Sequence, residues 1–119
     1  MENLMAVATF PYIAPENLKR FKSIAAEMLE SINSLESILR YEVFFTSDET
    51  TCVVLEEYSS PAGVIEHVEK HAVFLQELSE LGGRIQGQMF PLSDEGEAIE
   101  KIRDSWDSTM HHYFSGKRT

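Results

Sequence analysis

Residues 41–81, YEVFFTSDETTCVVLEEYSSPAGVIEHVEKHAVFLQELSEL, decide the fold. Ile38 to Thr46 and Thr51 to Tyr58 are rich in β-branched and aromatic residues, and the turn-like Ser47-Asp48-Glu49-Thr50 between them predicts an antiparallel hairpin. Ser60 then suits an N-cap and Pro61 a first helical position. The apolar residues Val64, Ile65, Val68, Ala72, Leu75 and Leu78 predict one helix running to a stop at Gly82-Gly83.

Working outward, Leu4 to Phe10 is a short apolar run closed by Pro11, which cannot donate to a sheet ladder, and reads as the first strand. After Pro15, the residues Leu18, Phe21, Ala25, Met28, Ile32 and Leu35 recur three and four apart, the stripe of an amphipathic helix. Arg84 to Phe90 predicts a fourth strand. A third, shorter helix is expected from an N-cap at Ser93 through Ile102 and Trp106, and a fifth strand over Thr109 to Phe114. The order β-α-β-β-α-β plus α-β is that of an α+β, ferredoxin-like antiparallel sheet with an added C-terminal α-β unit, and residues 1–119 are expected to form one domain.

Two helices cover only one face of such a sheet. Strands 2 and 3 nevertheless alternate apolar residues onto both faces, with Tyr41, Val43 and Phe45 against Phe44, and Val54 against Val53 and Leu55. A second copy of the sheet is the economical cover, so a homodimer is expected.

Composition narrows the partners. Twenty acidic against ten basic residues give a net charge of −10, which repels a phosphate backbone, so nucleic acid is not an expected partner. The N-terminal Met-Glu-Asn-Leu-Met-Ala has no basic n-region, and no stretch approaches the roughly 18 apolar residues of a membrane span. The expectation is a cytoplasmic chain without a membrane partner. The lone Cys52, set in a β-branched run, reads as a packed thiol.

The passage Cys52-Val-Val-Leu-Glu-Glu-Tyr-Ser-Ser-Pro-Ala-Gly-Val-Ile-Glu-His67, followed by a further apolar helical segment, resembles the antibiotic biosynthesis monooxygenase superfamily, also called dimeric α/β barrel proteins. The closing part is similar to one branch of it. There, His67-Val68, the Leu-rich end from Leu75 to Leu81, Arg84 to Phe90, the acidic helix from Glu95 to Arg103 and the aromatic segment from Tyr113 to Arg118 match in turn. The resemblance runs from about Leu4 to Arg118. It implies a dimeric α/β barrel and a cofactor-independent monooxygenase acting on a small hydrophobic or aromatic molecule, quinol or polyketide-like, held between helices and sheet. Haem-degrading members use an Asn on the first strand, a Trp on the second helix and a His farther along it. Here the first strand has no Asn, His67 falls where the Trp belongs and the ligand position lies near Leu78, which argues against haem.

The candidate site residues follow. His67 and His71 are one turn apart on the predicted helix and share a face, a spacing that suits a proton-transfer pair near neutral pH or two ligands of a metal. A metal would need a third ligand from Glu56, Glu57, His111 or His112. If the chain is catalytic, His67 is expected as base or orienting group and Tyr41 or Tyr58 as hydrogen-bond donor. His71, Arg84 and Trp106 are the candidate substrate contacts, although Trp106 also suits a packing anchor and Arg84 a rim salt bridge. The alternative is a non-catalytic dimer of the same fold that binds a small ligand.

Overall fold

The computed structural model of the chain describes residues 3–105 and 107–118. Five strands, β1 (Leu4–Phe10), β2 (Ile38–Phe45), β3 (Cys52–Tyr58), β4 (Gln86–Pro91) and β5 (Ser108–Met110), form one sheet in the order β2-β3-β1-β4-β5. Its first four strands pair antiparallel in the ferredoxin-like order. The helices are α1 (Leu18–Ile32), α2 (Pro61–Lys70), α3 (Ala72–Gly82) and α4 (Glu97–Ser105).

Three expectations are corrected. The single second helix is two, α2 and α3, joined at His71, whose φ of −110° and ψ of 21° leave the helical well. The cause is local: the His67 carbonyl accepts both the backbone N–H of His71 at 2.9 Å and its ring Nδ1 at 3.0 Å, so a side chain enters the helical ladder and bends it. The added unit also starts and ends differently. The hydroxyl of Ser93 accepts the Glu95 N–H, but α4 opens only at Glu97, after Gly96 at φ 112°. The fifth strand is three residues long and pairs parallel with β4, because a strand-helix-strand connection returns the chain in its starting direction. The sheet is therefore mixed. Ser60 makes no capping hydrogen bond through its side chain, and Trp106 lies outside the described residues.

The alternation of β1 and β3 sorts their side chains. Leu4, Ala6 and Phe10 on β1 and Cys52, Val54, Glu56 and Tyr58 on β3 point to the helices and are buried, whereas Met5, Val7, Thr9, Val53 and Leu55 point to the other face and are half-buried. On that open face Phe44 is 50% exposed. Under the helices there are two apolar clusters. Phe10, Phe21, Ile24, Met28, Val54 and Leu78 pack where α1 and α3 meet the sheet, and Leu4, Ala6, Tyr58, Val64, Ile99 and Ile102 pack beneath α2 and α4. The junction at His71 lies where α2 gives way to α3, and the cavity described below occupies the seam between the clusters. Among the described residues no helix is long and apolar enough to cross a membrane.

Gly82 closes α3 against the first cluster. A Cβ there would stand 2.8 Å from the Phe21 ring and 3.1 Å from Cβ of Phe10, and Phe21 is itself held edge-on by Phe10 at 5.1 Å and by Phe45 at 6.0 Å. Gly82→Ala is expected to destabilise the fold by about 1–3 kcal/mol, the cost of overpacking, measured as a lowered urea midpoint with an unchanged slope.

Candidate functional site

The seam holds a cavity of about 400 Å³ between sheet and helices. Its floor is made of small residues: Ala8 of β1 pairs with Gly87 of β4, and Ala6 lies two residues along, so side chains that would fill this space are absent. Tyr41 from β2, Glu56 from β3 and His67 from α2 line it together, Gln76, Ser79, Arg84, Ser105, Asp107 and Ser108 add further polar lining, and Val64, Val68 and Leu75 form apolar walls.

Glu56 is the unusual member. It lies in the inward phase of β3, between Val54 and Tyr58, and is 6% exposed. Burial disfavours the charged carboxylate and raises its pKa from an ordinary 4.5 to about 7, against the opposing effect of the Tyr58 hydroxyl, which donates to Oε1. Tyr58 is fully buried, and its own ionisation is pushed far up by burial and by Glu56, so it remains a phenol that anchors the carboxyl. The Tyr41 phenol is likewise raised by burial, then by Glu56 and Cys52, and serves only as a neutral donor or acceptor.

The two histidines form a buried pair whose tautomers follow from hydrogen bonding. The His67 carbonyl can only accept, so Nδ1 of His71, 3.0 Å away, carries a proton. Nε2 of His71 is then unprotonated in the neutral ring and accepts from the Ser31 hydroxyl at 2.8 Å. Nδ1 of His67 faces that same protonated nitrogen at 2.8 Å and must accept, which leaves the His67 proton on Nε2. Burial, and then His71, lower the His67 pKa to about 4, so both the tautomer and the neutral state make His67 an N–H donor rather than a strong base. His71 is lowered by burial as well.

Of the residues expected at the site, Tyr41, His67 and Arg84 line the cavity. Tyr58 stands behind Glu56 and His71 behind His67, each one hydrogen bond removed from the cavity wall. Arg84 precedes β4 at the rim, where its guanidinium pairs with Asp107 at 3.0 Å, both largely exposed. His111 stacks on Phe90 at 4.2 Å and His112 pairs with Asp94, while Glu57 accepts from Asn3, so none of these three lies beside the histidine pair. Among the described residues no cluster of three or more His, Cys, Asp and Glu is placed to hold a metal ion. Burial pushes the Cys52 thiol up to about 11, consistent with a packed cysteine.

Sequence reasoning considered Glu56 only as a spare metal ligand and did not consider Ser31. The signal for Glu56 was its phase, a carboxyl two residues from Val54 and from Tyr58 on a strand whose inward positions are otherwise uncharged. Ser31 interrupts the edge of the apolar stripe of α1, three residues after Met28.

No protein-family model and no curated protein sequence matches the chain. Solved structures do. MupZ from Pseudomonas fluorescens aligns over 100% of this chain and 96% of its own, with a TM-score of 0.83 at 19% identity. A candidate antibiotic biosynthesis monooxygenase from Caulobacter crescentus CB15 aligns over 81% of this chain and 92% of its own (TM-score 0.66, 17% identity). A second, from Nitrosomonas europaea, covers 76% and 89% (TM-score 0.67, 13% identity). At such identities the likeness speaks for architecture and leaves chemistry to the site. The chain has the ferredoxin-like α+β fold of these candidate antibiotic biosynthesis monooxygenase structures.

Proposed function

We propose that the chain is a cofactor-independent monooxygenase that oxidises a small aromatic substrate, quinol or polyketide-like, in the seam cavity. The observation that carries this reading is the buried Glu56, a carboxyl whose pKa of about 7 fits a general base at neutral pH, lining the same cavity as the neutral donors Tyr41 and His67. For a ring CH₂ beside a carbonyl, the Glu56 carboxylate removes a proton while Tyr41 O–H or His67 Nε2–H stabilises the developing enolate oxygen. The carbanion passes one electron to dioxygen, and the radical pair combines into a peroxide anion. Protonation gives a hydroperoxide, and loss of water leaves the ketone. The balance is CH₂ + O₂ → C=O + H₂O, with all four electrons supplied by the substrate, and the apolar walls shield the carbanion from water.

The proposed assembly is a homodimer in which two copies cover each other's open sheet face. Its support is the apolar residues on that face, with Val53 beside Phe44, Met5 beside Phe90 and Val7 beside Leu55, interspersed with Thr9 and Glu57.

Three outcomes are expected. With an anthrone-like substrate, dioxygen uptake should rise with pH and level off above about 7, since the carboxylate is the active form. Glu56→Gln should lower kcat by about 10²–10⁴-fold with ligand binding retained. Wild-type uptake in that variant removes the base, while saturable binding without uptake in the wild type supports the non-catalytic binder. Light scattering should find the wild type dimeric and Leu55→Lys monomeric; a monomeric wild type contradicts the assembly.

A further inference from the structure

We propose that Ser31, His71 and His67 form a proton relay between the protein surface and the cavity, which lets His67 give its Nε2–H to a bound species while its Nδ1 is protonated from the surface side, and which runs in reverse when the cavity returns a proton. The two imidazoles are 2% and 1% exposed, yet they are not isolated. Consecutive hydrogen bonds of 2.8 Å join Nδ1 of His67 to Nδ1 of His71 and Nε2 of His71 to the Ser31 hydroxyl. Ser31 is half-buried on the last turn of α1 and reaches solvent at the far end, while His67 lines the cavity at the near end.

Each imidazole takes a proton on one nitrogen and releases one from the other, so the pair conducts without either ring holding a charge at rest. One delivery moves Nε2–H of His67 to the acceptor, Nδ1–H of His71 to Nδ1 of His67, and the Ser31 hydroxyl proton to Nε2 of His71, with solvent restoring Ser31. Both rings are then in the opposite tautomer, and a proton returned from the cavity to Nε2 of His67 runs the chain in reverse, releases a proton through Ser31 and restores the resting state. No electrons move. The His67 carbonyl gives this chain a direction, because it holds Nδ1 of His71 protonated and so favours the tautomer in which His67 presents its proton to the cavity. Neighbouring rings restrain both imidazoles: Tyr41 packs edge-on to His67 at 5.1 Å, and Phe74 lies 6.2 Å from His71. The bend at His71 is thus part of the device, since the same side-chain contact both interrupts the helix and sets the tautomer.

The use assigned to the relay rests on the monooxygenase reading, in which Glu56 holds the proton it removed from the substrate, the His67 Nε2–H protonates the peroxide anion, and a proton returned from the cavity later leaves through the same chain. Its existence does not, and the test keeps the two apart. Long-range ¹H–¹⁵N NMR of the protein at neutral pH should find neutral rings, His67 protonated on Nε2 and His71 on Nδ1. Exchange of the His67 Nε2 proton with solvent should slow about tenfold in both Ser31→Val, which blocks the outer end, and His71→Asn, whose amide N–H replaces Nδ1–H but cannot pass a proton through. The Asn variant should keep the His67 tautomer, which a purely structural role for His71 would also predict, but without slower exchange. His67 protonated on Nδ1, or exchange as fast in His71→Asn as in the wild type, overturns the relay. Absent dioxygen uptake by the wild type, with these tautomers and slowed exchange observed, removes only the monooxygenase reading.

Discussion

Everything at the site depends on one costly placement, a carboxyl in the inward phase of a central strand. β3 lies between β1 and β2, so its inward side chains are covered by helices and cannot reach bulk water. Raising Glu56 from 4.5 to about 7 corresponds to about 3 kcal/mol against the charged form at neutral pH. That figure is already net of the Tyr58 hydroxyl, whose hydrogen bond offsets part of the burial penalty, and it is what makes the group able to exchange a proton near pH 7. A core selected for stability alone would put a leucine or methionine there. The retained carboxyl is the strongest reason to regard the cavity as chemical rather than as a packing flaw.

The second constraint is the seam. Continuous packing from one end of the sheet to the other would have left no room for a ligand. Instead the helical layer changes element at His71, α3 contacts α1 and α2 contacts α4, and the residues beneath the change are Ala6, Ala8 and Gly87. Helix bend, small floor residues and histidine pair therefore belong together.

Much of the fold was legible because its signals are local. The turn at Ser47-Asp48-Glu49-Thr50, the stop at Gly82-Gly83 and the boundaries of β1 all stand where periodicity and turn chemistry put them. The break at His71 was not legible, since the apolar spacing continues unbroken across it and the cause is a side chain bonding its own helix. The short parallel β5 was misjudged over Thr109 to Phe114 because aromatic residues raise strand propensity wherever they fall, and only the partner strand decides how far pairing extends. At the site, His67 and Tyr41 were found from residue type and spacing, and both line the cavity. Their roles were not fixed by the same means. Whether a histidine is base or donor depends on burial and on its partners, and neither Glu56 nor Ser31 declares its neighbours in the sequence.

The central claim is that Glu56 is a buried carboxyl poised near neutrality, and its own titration tests that claim without any substrate. Following the side-chain ¹³C resonance of Glu56 against pH in the intact protein should give a midpoint near 7. A midpoint near the ordinary 4.5 would contradict the account, because a carboxylate so readily ionised could not be the desolvated base on which the proposed chemistry depends.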